Sequence, residues 1–161
     1  RAAGRIFETD FFGVVTLTKA LLPSMILHGG GQIIVVSSMS GKYGFPMRSA
    51  YSAAKHALHG FFETLAIELH SQHILVSLIC PGRIRTNVSV NAITGDGSAH
   101  GIMDKGQARG MPVHKCARKI VHAIEHNKRE ALIGGPEIFL LLIKRIIPDL
   151  FFRIAGRISP T

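Results

Sequence analysis

Cysteine is scarce: the chain of 161 residues has two, Cys80 and Cys116, far apart and in no C-x-x-C pair. That spacing excludes the dense disulfide framework of a small secreted module and leads us to expect a reducing, cytoplasmic setting. Acidic residues are also few, 10 against 19 lysines and arginines, for a net charge of +9. Such an excess can serve a nucleic acid or an anionic membrane. Here the basic residues are scattered rather than stacked as a stripe, and no row of aromatics alternates with them as base stacking requires, so no nucleic acid is expected. There is no internal repeat and no low-complexity run. The histidine pairs His56/His59, His70/His73 and His122/His126 have no cysteine or carboxylate nearby to complete a metal shell. They read as surface or helix-end histidines, and no metal is expected. No secretory leader opens the chain, but its first residue is Arg1, and "RIFETDFFGVV" already reads as helix. The chain therefore has the look of a fragment whose beginning, with any targeting signal, is missing.

What is present is one domain's length of sequence, 47% hydrophobic and 18% charged, enough to bury a core without disulfides or metals. From Ile6 to His28, apolar residues recur at three- and four-residue steps as in an amphipathic helix, which "GGG" ends. "QIIVVSS" then reads as a strand covered on both faces, as parallel strands are. After the loop "MSGKYGFPM" a second helix is expected from Ser49, its cap, to Gln72. "ILVSLICPG" is another buried strand, stopped by Pro81-Gly82. Residues 87–110 are glycine-rich and predict a long mobile segment with one short helix, the usual build of a functional lid. A third helix begins at Pro112, with Val113, Cys116, Ile120, Val121 and Ile124 as its stripe, and "EALIGG" gives a third strand. The order predicts an α/β protein with a parallel sheet. We divide it into a catalytic region, 1–135, and a hydrophobic, basic tail, 136–161. The tail's apolar run, Ile138 to Ile143, is far short of the roughly 18 residues of a membrane span. With Lys144, Arg145, Arg153 and Arg157 interleaved, it suits either a helix packed on the domain or on a second subunit, or an interfacial helix touching a membrane.

The stretch "SAYSAAKHAL" carries the chemistry. Tyr51 and Lys55 stand one helical turn apart and share a face. A free tyrosine has a pKa near ~10, and a neighbouring ammonium favours the phenolate, which would make Tyr51 a usable acid/base. Ser38 ends the first strand at the carboxyl edge, where parallel sheets place their ligands. Its hydroxyl and that of Tyr51 could both donate to an oxygen gathering negative charge. The second strand ends at the same edge in "PGRIRT", where Pro81-Gly82 are expected to expose backbone amides and Thr86 offers a hydroxyl.

"IIVVSSMSGKYGFPMRSAYSAAKHAL" together with "VSLICPGRIRT" resembles the catalytic half of the short-chain dehydrogenase/reductase family, most closely its branch of dehydrogenase/reductase member 7 and hydroxysteroid dehydrogenases. The resemblance implies the C-terminal part of a Rossmann-like, doubly wound parallel sheet, three strands and their helices, with the cofactor-binding N-terminal half missing. It implies an NAD(P)-dependent enzyme interconverting a secondary alcohol and a carbonyl, with NADP slightly favoured. Tyr51 would be the acid/base, Lys55 would lower the tyrosine pKa and hold the nicotinamide ribose, and Ser38 would be the third catalytic residue. Pro81, Gly82, Ile84 and Thr86 would hold the nicotinamide carboxamide. A homo-oligomer is expected as well.

Two departures stand out. Where the family has asparagine in a pattern like N-x-x-G, this chain has Asp10 in "DFFG", and an ionised aspartate only accepts hydrogen bonds. Asp10 is thus a candidate site residue and equally a plain helix residue. The family's glycine-rich phosphate turn is also absent, and Gly29–Gly31 stand in the wrong order to replace it. The chain by itself is expected to be inactive and unable to hold the adenosine half of a dinucleotide. Phe45, Met47, Val88, Val90, Ile93 and Ile102 are expected to line an apolar, substrate-binding region. Two alternatives stay open, a non-catalytic relative serving as a binding or scaffold subunit and a sugar-nucleotide epimerase, although the larger substrate domain of the latter is not visible.

Overall fold

A computed structural model of the protein describes residues 2–158. The chain opens with helix α1, Ala2–Phe7, which runs through one wide π turn, Glu8–Phe12, into α2, Gly13–Leu27. Within the wide turn Gly13 N–H reaches back to the Glu8 carbonyl, and turns of this kind often mark functional positions. The whole stretch Ala2–Leu27 is long and apolar enough to cross a membrane by length and composition. One side of it, including Phe11, Val14, Leu22 and Met25, nevertheless packs on the protein's own core. The helix starts earlier than the apolar spacing indicated and stops where three consecutive glycines take positive φ. Gly30 is the position that needs glycine, with φ at +116° and the His73 backbone filling the space a Cβ would take.

Strand β1, Gly31–Val36, helix α3, Ser49–Glu68, and strand β2, Ile74–Pro81, follow; after them come α4, Lys105–Ala108, α5, Val113–Glu125, β3, Glu130–Ile133, α6, Glu137–Ile146, and α7, Pro148–Ala155. The sheet is parallel in the order β1-β2-β3, with Val36 opposite Ile79 and Pro81 opposite Ile133. On one face α2 and α3 close over Val35, Val76 and Leu78, with Leu58 and Phe62 supplied by α3. On the other face α5 covers Ile79 and Ile133 with Cys116 and Ala123. Helices on both faces of a parallel sheet make this an α/β protein, as expected.

Several local expectations are corrected. Ser49 does not cap α3; the capping position is Arg48, whose side chain makes no capping bond. The same helix ends at Glu68 and the chain passes through a separate tight turn, His70–Gln72. β1 is not covered on both faces along its length: Val35 is buried, but Ile33 and Ile34 are only half-buried and Val36 is half exposed. The stripe of α5 runs through Cys116, Ile120 and Ala123, while Val113 and Val121 face outward. Residues 87–110 are folded rather than featureless. Ser89, fully buried, accepts the Asp104 amide at 3.2 Å, Thr94–Ser98 form a turn around Asp96, and α4 is the one short helix expected.

Phe62, fully buried between α3 and the sheet, is the test of this layering. Phe62→Ala is expected to lower stability by about 3–5 kcal/mol, whereas Val121→Ala changes it by no more than about 0.5 kcal/mol. Denaturant unfolding of both variants checks the ranking.

Candidate functional site

The site grows from the carboxyl edge of β1 and from the first turns of α3. In the extended backbone after Val36, Ser37 and Ser38 point to opposite sides. Ser37 turns inward, its hydroxyl 3.1 Å from His59 Nε2 and 3.4 Å from the Lys55 carbonyl. Ser38 does not end the strand; it lies two residues past it and opens the turn Met39–Gly41, where its Oγ accepts the Ser40 N–H at 3.1 Å. That bond uses the oxygen and leaves the hydroxyl proton for another acceptor.

On α3, Lys55 is 8% exposed. A buried ammonium needs a counter-charge, and Asp10 provides it, with Nζ–Oδ1 at 3.2 Å. The same Nζ lies 5.7 Å from the centre of the Tyr51 ring and 3.5 Å from the Val36 carbonyl. The structure thus brings Asp10 to Lys55. The wide turn Glu8–Phe12 carries it there. Tyr51 is half-buried. The chain's other tyrosine, Tyr43, is buried against Phe151 and donates to the Glu137 carbonyl at 3.2 Å. Burial, helped by the Glu137 charge, pushes its pKa up to about 12. It is a core phenol, which leaves Tyr51 as the tyrosine available for acid/base work.

At the end of β2 the amides expected to be exposed are engaged. Gly82 N–H donates to the Ile133 carbonyl at 2.8 Å, and Arg83 N–H donates to Glu137 Oε1 at 3.1 Å. The Glu137 carboxylate lies over Gly82, in the space a Cβ would take, so a side chain there would push Glu137 aside. Ile84 is buried and bridges Met111, while the Thr86 hydroxyl is 3.4 Å from the Ile84 carbonyl. Gln107 of α4 donates its side-chain amide to that carbonyl and to Thr86 Oγ1, the latter at 3.3 Å. A carboxamide is therefore already seated on Ile84 and Thr86, two of the four residues that the resemblance assigns to the nicotinamide carboxamide, and the polar groups there fit such a group. The segment is also fastened beside Tyr51, since buried Asp104 pairs with Arg48, the residue before α3, and with His100 at 3.2 Å.

Gln107, Glu137 and Asp104 were not singled out from the sequence, where nothing but their sign or polarity marks them. Of the residues expected to line an apolar region, Met47, Val88 and Ile102 are exposed, because their loops turn outward. His59 is also not a surface histidine. It is buried, with Cys80 Sγ 3.7 Å from Nε2 and Glu63 3.4 Å from Nδ1. His59, Cys80 and Glu130 lie close enough together to share a metal ion, yet the Lys42 ammonium already pairs with Glu130. Burial also pushes the Cys80 thiol up to about 12. A second close group, His122, Glu125 and His126, is fully exposed on α5.

The sequence pattern of short chain dehydrogenases matches residues 1–96. The chain is 44% identical over 151 residues to dehydrogenase/reductase SDR family member 7B of Xenopus laevis, covering 92% of this chain and 46% of that protein. The chain belongs to the short-chain dehydrogenase/reductase family. Within it, the chain falls in the branch of member 7, and it spans about half the length of the curated relatives it matches. Among solved structures, a short chain dehydrogenase from Burkholderia cenocepacia, in complex with NADP, superposes with a TM-score of 0.78 at 22% identity, covering 99% of this chain and 60% of that one. A short-chain dehydrogenase from Streptomyces avermitilis gives 0.71 at 28% identity, covering 96% and 62%. Both have the architecture described above.

His59 supplies a pH test. Burial first, then the Lys42 charge, holds its pKa below the ordinary histidine value, against the opposing pull of Glu63 and Glu130. The unfolded chain takes up the proton near pH ~6.5 while native His59 does not. Stability present above that pH is therefore expected to fall as the pH drops to about 5.5. His59→Gln should show a shallower fall over that range, with urea midpoints as the measurement.

Proposed function

We propose that this chain is the catalytic half of an NAD(P)-dependent oxidoreductase that interconverts a secondary alcohol and a carbonyl on a lipophilic substrate. The observation that carries the reading is buried Lys55, its ammonium 3.2 Å from Asp10 and 5.7 Å from the centre of the Tyr51 ring. In the reducing direction the hydroxyls of Ser38 and Tyr51 donate to the substrate carbonyl oxygen. Tyr51 then passes its proton to the oxygen as negative charge develops there. The Lys55 ammonium stabilises the phenolate left behind, and Asp10 keeps that ammonium in place. A bound nicotinamide supplies the hydride. The Ile84 carbonyl and Thr86 hydroxyl would hold its carboxamide and Lys55 its ribose, once the Gln107 amide has moved aside; Pro81 and Gly82 shape the turn that presents them. NADP is the favoured form, in keeping with the NADP held by the Burkholderia protein of the same fold.

The partner is a small alcohol or carbonyl compound. The exposed apolar residues of the tail, Phe139, Leu142, Ile146 and Phe152, support either a homo-oligomer contact or peripheral membrane contact. Two free, buried cysteines suit a cytoplasmic, reducing setting.

Two measurements test the reading, on a polypeptide joining this chain to a dinucleotide-binding N-terminal half. Tyr51→Phe should reduce carbonyl reduction by about 10²–10⁴-fold, with Tyr43→Phe staying within a few-fold of the parent; equal turnover of Tyr51→Phe and parent removes the assigned role. Gln107→Ala should tighten NADPH binding about fivefold, the worth of a typical hydrogen bond, as read by fluorescence titration. Unchanged or weaker binding would show that Gln107 does not compete for the carboxamide seat.

A further inference from the structure

The flank of α3 turned towards the tail carries a concavity that shares only Phe45 with the residues named for the redox reading. A cleft of about 440 Å³ is lined by Phe45 and Pro46 from the loop before α3, by Ser52 of α3, and by Lys144, Phe151 and Phe152 of the tail. Tyr51 and Lys55 are not among its lining residues. Its size falls within the range of small-molecule sites, and its walls, like theirs, are mostly hydrocarbon with a few polar groups.

Three polar side chains interrupt that lining; Ser49 is exposed to water, which leaves Ser52 and Lys144 as the two set into the cleft. Ser52 is 6% exposed, and its Oγ has no hydrogen-bond partner among the described residues. A helical serine can bond the carbonyl four residues back, as the hydroxyls of Thr18 and Thr64 do with Val14 and Gly60, but the Ser52 hydroxyl makes no such bond. A buried hydroxyl left in this state costs stability, and a ligand acceptor would remove that cost. Lys144 donates one bond, to the Lys42 carbonyl at 2.8 Å, and an ammonium has three protons to give. One hydroxyl donor and one cation in a hydrocarbon cleft select an acceptor that carries negative charge.

We propose that the cleft binds an amphiphile with a carboxylate head and an apolar body. The carboxylate accepts from Ser52 Oγ and Lys144 Nζ, and the hydrocarbon lies against Phe45, Phe151 and Phe152. Because Tyr51 and Lys55 take no part, this site and the redox site stand or fall separately.

The test titrates the protein with decanoate and with decanol by calorimetry, beside thermal unfolding of each ligand-free variant. Decanoate is expected to bind at least about tenfold more tightly than decanol, since hydrogen bonds to a charged group are the stronger kind. Ser52→Ala should raise the unfolding temperature of the ligand-free protein, by removing an unpaired hydroxyl, and weaken decanoate about tenfold. A serine with only a structural role raises the temperature and leaves decanoate unchanged, which overturns the proposal. Lys144→Met should abolish the preference for decanoate over decanol. Phe152 is 67% exposed, so Phe152→Ser keeps the fold and should weaken both ligands. Equal affinity of the parent for decanoate and decanol, or binding of neither, also overturns it, and leaves the roles of Tyr51 and Lys55 untouched.

Discussion

An ammonium buried at 8% exposure is the constraint around which the carboxyl edge of the sheet is built. Asp10 faces Lys55 and supplies the counter-charge that burial of an ammonium calls for. That pairing requires the first helix to lie against α3 with its wide turn at the right height, and it fixes which face of α3 looks outward beside the sheet. Tyr51, one turn earlier on the same face, is positioned as a consequence. The first helix, which in sequence is only an apolar stripe, therefore belongs to the site as much as to the core.

The rim at the end of β2 obeys a different rule. Its polar groups are not waiting unpaired: the amides of Gly82 and Arg83 are bonded to Ile133 and Glu137, and Ile84 and Thr86 hold the side chain of Gln107. Burial explains this, because backbone groups withdrawn from water must find partners. A carboxamide arriving at this edge would have to replace the Gln107 side chain, with small net gain per bond, rather than fill an empty socket.

How much of this was readable in advance follows from the range of each interaction. β2 could be identified because a central parallel strand is apolar almost throughout, and Tyr51 with Lys55 because their pairing is local to one helix turn. Ser38 and Thr86 were placed by the ends of β1 and β2, and both lie a few residues beyond them. The same local logic fails at Ser49, where residue type suggested a cap, and at Val113 and Val121, whose apolar side chains face outward. Gln107, Asp104 and Glu137 reach partners 21 to 56 residues away, and no spacing rule exposes such pairings. His59 belongs with them, since its burial comes from Cys80 and Ser37 on neighbouring segments.

The first turn of α6 has a double attachment. The Glu137 side chain closes over Gly82 and holds the Arg83 amide, while its carbonyl receives the Tyr43 hydroxyl from the loop ahead of α3. One residue of the tail thereby pins together the loop ahead of α3 and the turn that follows β2. Lengthening, shortening or displacing the tail would travel directly into the spacing between those two segments, so α6 works as their clasp.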